Sequence, residues 1–410
     1  VLYFTDNGWK SDNTFRDTEG IVKWTASRDY ICGEIVTMNM QTIGGEISEE
    51  DAGFDLSASG DQILVYQGLS TSPTFIFAVN NETNSSWQTD STSSNTSSIP
   101  TGLTNGVNAV ALKETDNLKY DESLLSGSKS TVLTNICATG NWSGANNSNQ
   151  TFSGTFNTTW SVGAWDGTGS DFLTATINDA YDTSSDGNFS ACNCVVNATN
   201  TLTVNSGGTV TVDNDISNDG NIIVESGGSV WQISSSGSNS GSNYTVERAT
   251  TSQSSRHVFT YWSSPITTAT FSAVASDAHL YYSFNASAQD WVLGNSSTGM
   301  SPGIGYALEG PDSGASYPGT QIATFTGAPF NNGDIPVTLS LSAGDDWNLI
   351  GNPYPSAISA YDFLDDNSTT LGGTIYFWTH NTIEDGTVDN TEDDYAMYTY
   401  GSGGTAAVTG

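Results

Sequence analysis

The segment Val204-Asn-Ser-Gly-Gly-Thr-Val210 returns twenty residues later as Val224-Glu-Ser-Gly-Gly-Ser-Val230. A period near twenty, with alternating aliphatic residues and Gly-Gly corners, suits the rung of a parallel β-solenoid, because each rung buries its apolar row only against the next. Asp213 to Gly220 is the Asp/Asn-rich turn between the copies, and Cys192 to Thr199 can supply a further rung. So few copies predict a short stack that spaces two other domains. Ser234 to Ser242 reads as a flexible Ser/Gly linker leaving it.

On both sides of the repeat, short apolar runs alternate with Gly, Asn, Asp and Ser punctuation, as in Gln62-Ile-Leu-Val-Tyr66, Thr74-Phe-Ile-Phe-Ala-Val79 and Leu280-Tyr-Tyr-Ser-Phe284. These are strand lengths at turn spacing. The expected class is all-β: two β-sandwich or jelly-roll-like domains joined by a short parallel β-solenoid, with residues 1–150 as the first sandwich, 151–240 as the solenoid and its linker, and 241–410 as an aromatic-rich, acidic second sandwich. One helix is expected, over Ser128 to Ala138, and Asn80 to Pro100 reads as a long surface loop.

Nine basic residues stand against forty-four acidic ones, for a net charge of -35. That balance excludes electrostatically driven binding to nucleic acid or to an anionic membrane surface. No apolar run approaches the roughly 20 residues that span a bilayer. From His257 to the end there are sixteen Asp and Glu and no Lys or Arg, so this half must meet its charge with salt, bound cations or a partner's basic groups. A salty exterior suits it, since screening lengths fall to about 3 Å at 1 M ionic strength. Asp385, Asp389, Asn390, Glu392, Asp393 and Asp394 are the Ca²⁺ candidates, a hard-oxygen set without EF-hand spacing. Asp213, Asp215, Asn218 and Asp219 form a weaker second set, because turns select Asp and Asn for local hydrogen bonds in any case.

Four cysteines are an even count, which permits disulfides without demanding them. Cys32 and Cys137 are expected to pair, with Cys192 and Cys194 reduced and buried on one face of a strand. His257, His279 and His380 are far apart in sequence and read as structural imidazoles. Ser126-Gly-Ser-Lys129 matches the Ser-x-x-Lys pattern of acyl-transfer enzymes without its companion motifs. No catalytic constellation emerges, so the chain reads as a non-enzyme. Exposed aromatics such as Trp291 could stack on sugar rings, which makes a carbohydrate-binding or carbohydrate-active protein the rival reading.

Thr260-Tyr-Trp-Ser-Ser-Pro265, Pro302-Gly-Ile-Gly-Tyr306, Phe325-Thr-Gly327 with Asn332-Gly-Asp334, Trp347-Asn-Leu-Ile-Gly-Asn-Pro-Tyr-Pro-Ser-Ala-Ile358 and Gly373-Thr-Ile-Tyr-Phe-Trp-Thr-His380 together resemble the large secreted surface proteins of Bacteroidetes that leave the cell by type IX secretion. The repeat is similar to the short β-solenoid that precedes this region in such proteins. Phe4-Thr-Asp-Asn-Gly-Trp9 and Ser59-Gly-Asp-Gln-Ile-Leu64 resemble a lamin-tail-like β-sandwich. The resemblance implies a secreted, extracellular or cell-surface protein. A chain that starts at Val1 without Met fits removal of a signal peptide, or a sequence given only from that point. The family usually ends in a sorting domain, and Gly410 is reached without one, so that domain is either cleaved off or beyond the given sequence. The expectation is a structural subunit of a surface fibre or an adhesin, associating with itself or with other surface proteins, with Ca²⁺ as a cofactor, glycans as further partners, and strand-like chain ends, Val1 to Phe4 and Thr405 to Thr409, that could pair with a neighbour.

Overall fold

The computed structural model describes every residue except 29, 31, 32, 41, 83, 342–345, 380–393 and 407–410. It is an all-β protein of two compact units, one comprising Val1–Thr159 and Ala164–Ala175, the other Trp160–Gly163 and Thr176–Gly410.

In the first unit β1 (Leu2–Thr5), β2 (Ile21–Trp24), β3 (Ile47–Asp51), β4 (Asp61–Leu69), β5 (Ser72–Glu82) and β6 (Ala109–Lys113) form one sheet in the order β3-β2-β1-β4-β5-β6. Every pairing is antiparallel except β5 with β6. Successive residues of a strand point to opposite faces, and one face carries Leu64, Ala78 and Ala109 into a core shared with Trp9 and Leu103. Trp9 meets Phe15 and Phe75 edge to face, at 5.0 and 4.8 Å between ring centroids, an arrangement the ring quadrupoles favour. The stretch expected as a surface loop is part of this cover. Trp87 and Ile99 pack on the core, and Ser97, fully buried, accepts a hydrogen bond from the Trp9 amide through Oγ. Its Ser/Thr/Asn composition reflects the hydrogen bonding that an irregular covering layer needs to satisfy its backbone. The expected helix is present as Lys129–Ile136, with Ser128 as N-cap, its Oγ accepting from the Thr131 amide.

β1 lies between β2 and β4 and is paired on both edges. The N-terminal strand is therefore already used within its own sheet and is not free to add to a neighbour's.

The second unit holds the solenoid, which has three faces. Tyr181–Asp182, Thr201–Val204, Asn221–Val224 and Tyr244–Ala249 stack in parallel on one face, in the register Tyr181, Leu202, Ile222, Tyr244. Phe189, Val210 and Val230 align on the second, and Cys194, Ile216 and Asn239 on the third. The inward residues of these ladders are buried while their sequence neighbours are not, the period-two pattern of a half-buried strand. The Gly-Gly corners are obligatory. Gly207 and Gly227 have φ of 80° and 88°, a region that favours glycine, and a Cβ on Gly228 would fall 2.4 Å from the Val204 carbonyl oxygen.

Ser234 to Ser242 is not a linker. Asn239–Gly241 is a strand of the third turn, parallel to Ile216–Asn218, because small residues let the corner tighten and still pair. The stack ends where Tyr244–Ala249 pairs antiparallel with Ile322–Thr326, and Tyr244 meets Phe330 edge to face at 4.7 Å. Asn332 Nδ2 donates to the carbonyls of Ser234 and Gly237 at 2.9 and 2.6 Å. Such contacts explain why solenoid and aromatic-rich segment form one unit rather than separate domains. The rest of that segment includes an antiparallel sheet in the order Thr260–Trp262, Tyr306–Leu308, Tyr281–Asn285, Asp290–Leu293 and a smaller one of Thr374–Trp378, Tyr395–Thr399 and Gly403–Thr405.

Candidate functional site

Among the described residues the outer strand Asp290–Leu293 pairs on one side only, with Tyr281–Asn285. All four of its residues are exposed; Trp291, Val292 and Leu293 retain 39, 48 and 63% of their accessible surface. Trp291 leans on Phe284 at 5.1 Å and on Tyr261 and Tyr282 at about 6 Å, contacts that hold the ring while part of it stays exposed. Tyr261 in turn stacks on Trp378 at 5.7 Å, and Trp378 Nε1 donates to the Phe259 carbonyl at 2.8 Å. Burial pushes the Tyr261 hydroxyl well above the usual phenol range, with its bond to the Tyr395 hydroxyl acting in the same direction.

Beside this strand lies a cleft of about 370 Å³ lined among others by Ser283, Phe284, Val292, Asn348 and Leu349. Trp347, next in the chain to the lining residue Asn348, is 53% exposed and meets Tyr376 edge to face at 4.9 Å. Its backbone is held by the Gln289 side chain, whose Nε2 donates to the Trp347 carbonyl at 3.0 Å while its Oε1 accepts from the Trp347 amide. Two kinds of recognition are available here. A strand edge offers amide and carbonyl groups with apolar side chains between them, and flat exposed rings beside Ser and Asn offer a platform for stacking.

The contrast with the first unit's edge is informative. β3 also ends a sheet, but it carries Glu49, Glu50 and Asp51, charges of the kind that keep an edge from pairing with another chain. Asp290–Leu293 carries one charge and three large apolar residues.

Of the calcium candidates, Asp385, Asp389, Asn390, Glu392 and Asp393 lie outside the described residues. Asp394 is fully buried, and its backbone carbonyl accepts from the Thr379 amide and hydroxyl. The second acidic set is spread along the solenoid turn: Asp215 Oδ1 accepts from the Ser238 amide and hydroxyl, and Asn218 is buried with Nδ2 donating to the Ser242 carbonyl. Among the described residues no three His, Cys, Asp or Glu side chains, as they are placed, could hold a metal ion. Ser126 Oγ donates to the Asn157 carbonyl and to Asp166, whereas Lys129 pairs with Asp171 at 3.2 Å, so the Ser-x-x-Lys pattern is drawn in two directions.

The cysteines correct the expected pairing. Cys137 caps the helix as a buried free thiol, and Cys194 is a second one, pushed up to about 12 by burial; Cys192 is disulfide-bonded, and Cys32 lies outside the described residues. Membership of one domain does not by itself bring two Cβ atoms to the roughly 3.5–4.5 Å that a bridge needs. Under denaturing, non-reducing conditions a thiol reagent is expected to label Cys137 and Cys194 at once and Cys192 only after reduction; labelling of Cys192 before reduction would reverse this assignment.

Sequence reasoning also missed a convergence. His257 and His279, remote in the chain, lie with their rings 6.2 Å apart. Only the register of three strands could have disclosed it.

Residues 143–409, more than half of the chain, match a family described as a domain of unknown function, DUF8693. No curated protein and no solved structure matches the chain.

Proposed function

The chain belongs to the DUF8693 family, a domain of unknown function, and we propose that it is a non-enzymatic structural protein of the cell exterior, the subunit of a surface fibre or adhesin that assembles through its β-domains. The observation that carries this reading is the apolar edge Asp290–Leu293, unpaired on its outer side among the described residues, set against the charged edge of β3. Its occupant is a strand of a second copy. An apolar edge with one charge can meet a like chain where the acidic surface around it cannot, once that surface is screened or bridged by Ca²⁺. Secretion by the type IX route is what the resemblance to large secreted surface proteins of Bacteroidetes implies.

Sedimentation and electron microscopy of the full chain, in low salt, high salt and calcium, test this. Ordered oligomers are expected in high salt or calcium and should disappear when Val292 and Leu293 are both replaced by Lys, with circular dichroism unchanged because both side chains are exposed. A wild-type chain that stays monomeric at high concentration in all three conditions, or oligomers indifferent to the substitutions, would sink the proposal.

A second reading is glycan binding, favoured by the exposed Trp347, whose chain neighbour Asn348 lines a cleft together with Ser283 and Ser340. Saturable binding to one glycan on an array, lost in Trp347→Ala, would support it.

A further inference from the structure

We propose that His257, His279 and Glu309 form a site for a transition-metal ion such as Zn²⁺. The sheet brings them together. Leu308 pairs with Thr260 on one side and Tyr281 on the other, so the residues just before those two strands, His257 and His279, and the residue just after Leu308, Glu309, meet at one end of the sheet. Imidazole nitrogens with a carboxylate oxygen are a borderline donor set that suits Zn²⁺ rather than Ca²⁺.

Glu309 supplies the independent evidence. It is 3% exposed, and its Oε2 is buried without a hydrogen-bond partner among the described residues. A buried carboxylate normally has its oxygens satisfied, and one left open asks for a proton or a cation. Gln253, 1% exposed, presents a second open acceptor, Oε1, which would lie 3.0 Å from a Cβ placed on Gly310. The other Glu309 oxygen stands 3.3 Å from His257 Nδ1. That is long for a charge-assisted hydrogen bond, which runs at about 2.7–2.9 Å. It equals the separation of two ligand atoms around a tetrahedral ion with bonds of about 2.0–2.1 Å. Two imidazoles on one such ion have centroids about 5 Å apart, so exposed His279 must swing inward by about 1 Å to close the site.

The charged neighbours are Arg256, Asp312 and Asp277. Arg256 Nε donates to His257 Nε2 at 3.3 Å and its Nη1 pairs with Asp312, while Asp277 accepts from the Ser313 amide at 3.0 Å. Metal binding at Nδ1 moves the His257 proton to Nε2, and Arg256 then turns from the ring and keeps Asp312.

Calorimetric titration of the full chain with Zn²⁺, and visible spectra with Co²⁺ as a probe of tetrahedral geometry, test the proposal independently of any assembly. One ion per chain is expected, with Ca²⁺ failing to compete. His279→Ala and Glu309→Gln should weaken binding by at least the 10–100-fold that loss of an outer-shell partner costs, and His380→Ala should leave it unchanged. His279 is exposed, so its replacement leaves the fold intact. Absence of stoichiometric binding in the wild type, or binding undiminished in His279→Ala, would overturn the site.

Discussion

Lowering the pH from 8 to 5 is expected to stabilise the first unit by about 3 kcal/mol, at a cost of 1.36 kcal/mol for each unit by which a pKa departs from its unfolded value. Burial raises Asp61 from the ordinary carboxylate range to about 7, against the opposing pull of the Ser57 and Gln62 amides that donate to it. Glu19 is raised to about 8, first by burial and then by repulsion from Asp61 and Asp6; Asp6 is raised as well, again by burial. In the unfolded chain these groups ionise near pH 4. In the folded chain they hold protons up to pH 7 or 8, so folding takes up protons throughout that window and stability falls as the pH rises through it. The figure is kept below the full sum because Glu19 is partly solvated. Glu46 and Glu122, lowered to about 2 by hydrogen bonds in the same unit, act in the opposite sense, but their contribution is lost only as the pH drops below about 4.5. Chemical denaturation at the two pH values measures the difference. Glu19→Gln should raise stability at pH 8, leave it unchanged at pH 5 and flatten the profile. Equal stability at both pH values would rule out this account.

Ile222→Ala should cost about 2–5 kcal/mol, the range for emptying an aliphatic core position. Ile222 is buried between Leu202 and Tyr244 in the solenoid ladder. Its neighbour Ile223 points the other way and is only partly buried, so Ile223→Ala should cost much less. Comparing denaturation midpoints at unchanged m-value separates the two; equal losses would mean that the inward and outward faces are wrongly assigned.

The repeat was legible because its own arithmetic is the register. Thr201 pairs with Asn221 and Thr209 with Ser229, the twenty-residue shift of the sequence. The third turn was hidden because its spacing stretches, Ile216 pairing with Asn239, and because Ser and Gly in a tight paired corner have the same composition as Ser and Gly in a free linker. The acidic cluster of Asp6, Glu19 and Asp61 and the meeting of His257, His279 and Glu309 were illegible for a different reason. Each is assembled by strand pairing between distant segments, and no local pattern carries that information. The edge Asp290–Leu293 was visible as a strand, but whether a strand is interior or outermost is a property of the sheet.

The antiparallel seam between Tyr244–Ala249 and Ile322–Thr326 has a bearing on how the chain acquires its shape. Each solenoid turn needs only its predecessor and can zip up locally as the chain emerges, whereas this closing strand arrives more than seventy residues later, and contacts of such separation form slowly. Until it docks, the growing stack presents a fresh parallel edge able to recruit any extended peptide. The interval before closure is when such a chain is most in need of a chaperone, and a truncation just after Ala249 would make that interval permanent.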